Sequence, residues 1–287
     1  MSGPSRRLLL VTRPAAQAEP ARRALRAVGV EAVALPLIGI TPLADLAPVS
    51  ALWQTLERWQ LVIFVSQNAV AHFFAARPAG AVWPAHTLAA GPGPGTAAAL
   101  RSAGVPNPQI VAPAASGPQD SEALWAALAP RYDWPAARVL LLRGADAGVP
   151  SVDTGVGREW LAATLGAAGA ELRLQAVYRR GPAVLSPHER ALLSVALAAP
   201  ARHVWLFASA EAVEHLRTIA SELGTALPVA PGAAIATHPR IADRARAAGF
   251  DPVLLCAGDP ASLRRCLEAW PDSARHALAP SIEFPSS

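Results

Sequence analysis

The sequence predicts an α/β protein with two doubly wound parallel-sheet domains related by internal duplication. Short runs of Val, Leu and Ile alternate with helical stretches, which favours parallel sheets flanked by helices. The same order of elements occurs twice along the chain, and glycines stand where helices should end. A chain of 287 residues, 52% of them hydrophobic, is long and apolar enough for two buried cores.

The duplication is clearest where a strand ends at a serine and leads into a helix. Residues 64–72 (FVSQNAVAH) align with residues 207–215 (FASAEAVEH) and match at Phe, Ser, Ala, Val and His. A second pair of segments closes a helix at Gly104 and at Gly249. A looser third pair sets the helix end at Gly29 against the one at Gly169. Each copy is therefore predicted to run strand, helix, strand, then strand–Ser–helix, then strand–turn–helix.

Several protein classes are excluded by composition. The longest apolar run, residues 33–43, contains two prolines and a glycine and is far shorter than the roughly 18 residues of a membrane span. The N-terminus lacks the apolar core of a signal peptide, and Cys256 and Cys266 form neither a disulfide framework nor a C-x-x-C motif. We expect a cytoplasmic protein. The tail 271–287 has no periodicity and is predicted to be disordered.

All 25 basic residues are arginine, so no Schiff base, pyridoxal phosphate anchor or P-loop lysine exists in this sequence. The arginines are scattered and the net charge is only +4, which disfavours nucleic-acid binding and is compatible with a small anionic substrate. The histidines lack the spacing of metal ligands. No G-x-S-x-G sequence marks a serine hydrolase. We therefore predict no metal and no cofactor.

Ligands of open parallel sheets bind beyond the carboxyl ends of the strands, where helix N-termini offer free N–H groups. Ser66 and Ser209 stand at such ends, and the alternative that they only cap their own helices is equally open. The two interpretations are compatible, since a capped helix start can still bind a ligand. The residues predicted at these ends are Thr12, Arg13, Ser66, Gln67, Asn68, Gly91–Thr96, Arg143, Gly144, Ser209, Thr237 and His238.

The stretch Gly91–Thr96 resembles a nucleotide-binding loop only superficially. It lacks the G-x-G-x-x-G spacing and a lysine, and its two prolines remove N–H groups that would hold a phosphate. We interpret it as a stiff turn that leads into a helix capped by Thr96.

At these residues the chain resembles the uroporphyrinogen-III synthase family. The resemblance lies in the order and spacing of individually weak motifs over about residues 8–268. They are residues 11–14, 64–70, 90–97, 121–124, 141–144, 158 with 160–161, 169–170 leading to 177–180, 207–209 and 238–242.

This resemblance implies two domains joined by a pair of antiparallel linker strands. Domain 1 would contain residues 6–34 plus 181–270, domain 2 would contain residues 41–170, and residues 35–40 and 171–180 would form the linker. The sequence repeat and the spatial domains would then be out of phase. The segment Ala145–Gly157 is an insertion relative to the first copy and is interpreted as a flap.

The resemblance also implies a reaction without cofactor or metal: the cyclisation of hydroxymethylbilane to uroporphyrinogen III with loss of water and inversion of ring D. Tyr178 would be the catalytic proton donor, since a phenol can donate. The family's cleft positions fall on Thr96, Tyr178 and Ser209. Substrate carboxylates would be bound by Thr12, Ser66, Gln67, Asn68, Thr96 and Ser209, with Arg13 and Arg143 as charged partners.

Thr237-His238-Pro239 departs from the family pattern, which puts ligand contacts at this helix start in doubt. We expect a monomer that makes transient contact with hydroxymethylbilane synthase. Two other functions stay open on the sequence alone: a non-catalytic two-domain binding protein for a small polyanionic ligand, and a transferase using a nucleotide sugar. The second lacks a diphosphate-binding pair or an acidic ribose ligand.

Overall fold

The computed structural model describes residues 7–114, 117, 120–146, 156–225, 227–228 and 230–270. The predicted disordered tail and most of the 145–157 segment lie outside the described residues. The chain divides into two compact units, unit 1 with Met1–Gly39 and Gly181–Ser287, and unit 2 with Ile40–Arg180. The predicted pair of linker strands between domains stays a prediction.

Strands and helices alternate along most of the chain. The strands are β1 Leu8–Val11, β2 Ala32–Ala34, β3 Ile38–Thr41, β4 Leu61–Phe64, β5 Leu88–Ala90, β6 Ile110–Val111, β7 Arg138–Asp146, β8 Glu171–Pro182, β9 His203–Phe207, β10 Ala233–Ala236 and β11 Val253–Leu255. The α-helices are α1 Ala15–Ala27, α2 Ala47–Gln54, α3 Gln67–Ala75, α4 Pro94–Ser102, α5 Ser121–Leu128, α6 Val156–Ala167, α7 Pro187–Ala198, α8 Ala210–Glu222, α9 Pro239–Ala247 and α10 Pro260–Glu268.

Unit 1 contains a five-stranded sheet in the order β11-β10-β9-β1-β2, and each of its adjacent strand pairs is parallel. Its central strand β9 is buried along its whole length, as expected for a parallel strand covered on both faces. Leu206 packs toward Leu25 of α1 and Leu263 of α10. Its neighbours Trp205 and Phe207 point to the opposite face, where they pack against Phe250.

Unit 2 contains a six-stranded sheet in the order β3-β8-β7-β4-β5-β6, in which β4 to β8 pair in parallel. Along β4, Val62 and Phe64 pack under α2, α3 and α4, whereas Leu61 and Ile63 pack under α5 and α6. Helices on both faces make the sheet doubly wound, and the predicted fold class is confirmed. The segment 171–180, predicted as a linker, forms most of β8 and pairs with β7.

The two sheets use the repeat in the same way. In each sheet the strand that precedes the repeated serine lies inside the sheet, β4 in unit 2 and β9 in unit 1. Unit 1 combines β1 and β2 of the first copy with β9, β10 and β11 of the second copy. All four predicted helix-ending glycines adopt the left-handed conformation, with φ between 80° and 96° at Gly29, Gly104, Gly169 and Gly249.

One predicted helix start is wrong. We expected Thr96 to cap the helix after the Gly-Pro turn, but α4 begins at Pro94 and its N-cap is Gly93. Proline is favoured at the first helical position because its fixed φ is already helical and its missing N–H would be unpaired there anyway. Thr96 is therefore a buried residue of the first helical turn.

Candidate functional site

Just beyond the carboxyl end of β4, unit 2 brings together a serine and a tyrosine of β8 that are 112 positions apart in sequence. Ser66 follows β4 and is the N-cap of α3, where its Oγ accepts a hydrogen bond from the Ala69 N–H at 3.2 Å. The same Oγ lies 3.1 Å from the Tyr178 hydroxyl. Ser66 is half-buried, whereas Tyr178 is 0% exposed. The hydroxyl pair thus joins a buried phenol to a residue at the surface.

Two residues lie against the Tyr178 ring. It stacks on the imidazole of His72, with ring centroids 5.4 Å apart and planes inclined by 25°. Gly144 also lies against the ring, since a Cβ there would come within 2.7 Å of it. The β7–β8 register shifts between Arg143 and Gly144, so that Gly144 stands opposite Tyr178. This bulge and the missing side chain make room for the ring.

Burial lowers the pKa of His72 from its ordinary value. The imidazole beside Tyr178 is therefore favoured in its neutral form, which suits stacking in the apolar surroundings that the two rings share. Gly144 was predicted at a strand end of the ligand edge but not as a contact of Tyr178, and His72 was not predicted as a site residue. A signal existed for His72, since the histidine recurs in the repeat as His215, but the repeat does not indicate which strand it faces.

The helix starts of α3 and α4 lie beside each other in unit 2. A Cβ on Gly95 would overlap the Gln67 amide, and a Cβ on Gly91 would come within 2.4 Å of the Thr96 side chain. Gln67 is exposed, Asn68 is half-buried and Thr96 is 5% exposed. Within the part of the chain that the structure describes, the Thr96 hydroxyl makes no hydrogen bond. Free N–H groups and polar side chains thus meet where the sequence predicted ligand contacts.

In unit 1, Thr12 and Ser209, both predicted at strand ends, differ in what their hydroxyls do. Thr12 is 1% exposed, and its hydroxyl donates to the Leu206 carbonyl at 2.7 Å, which ties β1 to β9. Ser209 is the N-cap residue of α8, but its side chain makes no capping hydrogen bond. Its hydroxyl is half-buried and available to a ligand.

Arg13 is the cation at this edge of unit 1. The guanidinium is half-buried, and its Nε is enclosed without a hydrogen-bond partner among the described residues. Burial lowers the pKa of Arg13 from its ordinary value, although an arginine remains a cation. No ion pair of Arg13 occurs within the described ranges. A cavity of about 170 Å³ beside Arg13 is lined by Leu206, Gly258, Pro260 and Leu263 among others. A half-buried cation next to a cavity, without an ion pair among the described residues, is a candidate binding position for an anion.

The remaining predicted positions are less informative. Arg143 lies at the β7–β8 bulge and is half-buried. His238 is the N-cap of α9, and its Nδ1 accepts from the Arg240 N–H at 3.2 Å, so an imidazole takes the place of a capping hydroxyl. Thr237 lies against Gly258, as Arg13 does.

A larger cavity of about 510 Å³ lies at the end of α8 and in the segment that follows it. Its lining includes Arg217, Ser221, Thr225 and Leu227. The carbonyl end of a helix carries the negative end of its dipole and disfavours anions. This cavity is therefore not a candidate position for carboxylates.

Neither a metal centre nor a membrane-spanning helix is found in the described part of the chain. No group of three or more His, Cys, Asp or Glu residues there is arranged to hold a metal ion. None of the described helices combines the length and hydropathy needed to cross a bilayer.

Comparison with known proteins gives one family and several similar structures. The family model described as uroporphyrinogen-III synthase HemD matches residues 19–258, more than four-fifths of the chain. A mutant uroporphyrinogen III synthase from the extremely thermophilic bacterium Thermus thermophilus is 17% identical, with a TM-score of 0.49 over 91% of this chain and 98% of that one. A second structure of the Thermus thermophilus enzyme is also 17% identical, with a TM-score of 0.38 over 91% and 98% of the two chains.

The uroporphyrinogen-III synthetase from Helicobacter pylori 26695 is 16% identical, with a TM-score of 0.49 over 91% of this chain and 97% of that one. Among curated protein sequences, none matches this chain.

Proposed function

The chain belongs to the uroporphyrinogen-III synthase family. We propose that its two strand-end regions bind the carboxylates of a linear tetrapyrrole. Tyr178 provides the proton with which the hydroxyl group of the substrate leaves as water. The reaction of this family is the cyclisation of hydroxymethylbilane to uroporphyrinogen III in haem biosynthesis, and the chain is an enzyme of that reaction. The family match disfavours the alternatives of a non-catalytic binding protein and a nucleotide-sugar transferase.

In this reaction the protein forms no covalent bond with the substrate. Protonation of the departing hydroxyl releases water from ring A and leaves an electrophilic azafulvene. The substituted carbon of ring D attacks it, and the resulting spiro intermediate breaks and recloses with ring D inverted. The electron-rich pyrroles supply much of the driving force, so the main tasks of the protein are to hold the chain in the productive shape and to supply a proton.

One observation carries the assignment of Tyr178: its buried hydroxyl lies 3.1 Å from Ser66 at the carboxyl edge of the unit 2 sheet. Gln67 and Asn68 supply polar groups beside it, together with the free N–H groups of α3 and the hydroxyl of Thr96. In unit 1, Arg13 and Ser209 serve the remaining carboxylates. Arg143, at the bulge next to Gly144, is a further charged partner. Thr12 orders the edge through its bond to Leu206.

The test uses hydroxymethylbilane generated in situ from porphobilinogen and its deaminase. The products are oxidised, and uroporphyrin isomers I and III are separated by chromatography. Wild-type protein is expected to shift the product to isomer III, whereas Tyr178→Phe is expected to lower kcat by about 10²-fold with KM nearly unchanged. Isomer I alone from folded wild-type protein would refute the activity, and wild-type kcat in Tyr178→Phe would refute the role of the phenol.

We further propose a monomeric, cytoplasmic enzyme that meets hydroxymethylbilane synthase transiently, because its substrate also cyclises without help to isomer I. Sedimentation of the protein alone tests whether it is a monomer, and sedimentation together with that synthase tests the contact between the two enzymes. A stable dimer would contradict the first, and an unchanged yield of isomer III when the two enzymes are separated by a dialysis membrane would contradict the second.

A further inference from the structure

The direction of the hydrogen bond between Ser66 and Tyr178 follows from burial. The Tyr178 side chain is 0% exposed, and among the described residues Ser66 Oγ is its hydroxyl's one hydrogen-bond partner. A buried O–H without an acceptor is costly, by about 1–3 kcal/mol. The phenol therefore donates its proton to Ser66 Oγ.

The hydrogen-bonding capacity of Ser66 then leaves one group unused. A serine hydroxyl has two lone pairs and one proton. The lone pairs accept from the Ala69 N–H and from the Tyr178 O–H. The Ser66 proton has no acceptor in the described part of the molecule, and the residue is half-buried at the strand-end edge. It is the proton of this pair that a bound substrate can reach.

We infer that Ser66 delivers the proton to the departing hydroxyl and that Tyr178 resupplies Ser66, so that the two residues form a proton relay. This inference rests on the proposed function and changes the role of Ser66 from the carboxylate binding expected from the sequence. Because Tyr178 is fully buried, the phenol acts on the substrate through the serine.

The relay balances in protons and electrons. The C–O bond of the hydroxymethyl group breaks with its electron pair on oxygen, which takes the Ser66 proton and leaves as water. The Tyr178 proton moves to Ser66 Oγ, so the serine is neutral again and the tyrosine is a phenolate. When the reclosed macrocycle loses a proton from its ring carbon, that proton returns along the same path to Tyr178. The overall reaction releases one water and leaves both residues as they began.

The decisive experiment compares four substitutions in the isomer III assay: Ser66→Ala, Ser66→Thr, Tyr178→Phe and the double variant Ser66→Ala/Tyr178→Phe. If the two residues form a relay, Ser66→Ala and Tyr178→Phe each lower kcat by about 10²-fold. The double variant is then no slower than either single variant, because both substitutions interrupt the same proton path. Ser66→Thr keeps a hydroxyl and a cap and should restore most of the wild-type kcat.

A second readout separates proton transfer from helix capping. In mixtures of H2O and D2O, a two-proton relay gives a curved dependence of wild-type kcat on the deuterium fraction, and that curvature should disappear in Ser66→Ala. Ser186→Ala is the matched control, because Ser186 likewise caps α7 through the Glu189 N–H, while its hydroxyl bonds to the Glu189 carboxylate and has no tyrosine partner. It should lose stability but keep kcat and the curvature.

Three results would overturn the relay: near wild-type kcat in Ser66→Ala, multiplied losses in the double variant, or a linear dependence on deuterium in the wild type. Any of these, with isomer III still formed by the wild type, refutes the relay alone. Wild-type protein that forms only isomer I refutes the proposed function instead.

Discussion

The two copies of the strand–serine–helix segment have the same backbone arrangement but different side-chain partners. In unit 2, Ser66 caps α3 and bonds to Tyr178. In unit 1, Ser209 occupies the N-cap of α8 without capping it. The histidine six positions later differs too: His72 stacks on Tyr178, whereas His215 Nδ1 lies 3.1 Å from the Leu37 carbonyl. The repeat thus preserves local structure, while the chemistry depends on a strand that is distant in sequence.

Under the proposed function, this difference predicts different kinetic effects for the pair Ser66–Tyr178 and for Arg13. In unit 2, the hydroxyls of Ser66 and Tyr178 form a hydrogen-bonded pair, and Tyr178 is buried, which suits proton transfer. In unit 1, Arg13 is half-buried with an enclosed Nε, which suits an anion. Substitutions of Ser66 and Tyr178 should therefore act mainly on kcat, and substitution of Arg13 mainly on KM.

The largest effect is expected from Gly144→Val. Even its Cβ would lie 2.7 Å from the Tyr178 ring, so the ring must leave its position beside Ser66. We expect kcat to fall at least as far as in Tyr178→Phe, by about 10²-fold, and the free energy of unfolding to fall by about 1–3 kcal/mol. Steady-state kinetics and urea unfolding measure the two effects.

Gly166→Ala is the control for Gly144→Val, since nothing lies within 4 Å of a Cβ there and Gly166 is in α6. It should leave activity intact and raise helix stability slightly. Unchanged kcat in Gly144→Val would contradict the idea that the bulge positions Tyr178.

Arg13→Met should raise KM by about 10- to 100-fold with little change in kcat, because a charge-assisted bond to a carboxylate contributes about 1.5–3 kcal/mol. The free energy of unfolding should not fall, since the substitution removes an enclosed cation without a partner in the described residues. Arg23→Met is the control: Arg23 is exposed on α1, so KM should stay unchanged. A fall in kcat without a change in KM would place Arg13 outside carboxylate binding.

The two serines should differ in stability as well as activity. Ser66→Ala removes a capping bond and leaves the buried Tyr178 hydroxyl without its acceptor, which should cost about 2–3 kcal/mol. Ser209→Ala removes no capping bond and should cost about 0.5 kcal/mol or less. Calorimetric melting of both variants tests this contrast. Equal losses would mean that the two copies are equivalent.

The smallest effect concerns pH. The pKa of His72 is lowered in the folded protein by burial, so the unfolded state binds a proton first as the pH falls. The contribution of His72 to the free energy of unfolding is therefore fully present above the pKa of the unfolded state, about 6.5. It is lost as the pH falls from there through the lowered pKa of the folded state. His72→Gln should remove this part of the pH dependence. Urea unfolding at several pH values between about 5 and 8 compares the two proteins, and identical profiles would contradict the assignment.

Much of the fold could be predicted from local sequence. Helix ends are local events, so glycines at positive φ could be recognised directly. Ser66 was recognisable as a cap for the same reason. The prediction of Thr96 as a helix cap is wrong because Pro94 takes the first helical position, which places the N-cap at Gly93, three residues before Thr96.

The pairing within the site could not be predicted. Ser66 and Tyr178 lie on strands whose contact depends on sheet order and on a one-residue bulge at Gly144. A shift of one residue in a strand turns every side chain to the other face, so the position of Tyr178 depends on that bulge. The hydrogen bond of Thr12 to the Leu206 carbonyl could not be predicted either. The side chain after a strand points to one face of the sheet or the other according to the alternation along that strand.

The out-of-phase arrangement of repeat and units has a consequence for synthesis on the ribosome. Unit 2 is one continuous stretch, Ile40–Arg180, whereas unit 1 pairs β1 with β9 and is completed only by β11. Ribosomes add about 5–20 residues per second, so the first strands of unit 1 wait for many seconds while the inserted unit can already fold. Nascent chains stalled after unit 2 has left the ribosome, but before β10 and β11 are made, should therefore contain a protease-resistant unit 2 beside a protease-sensitive N-terminal segment.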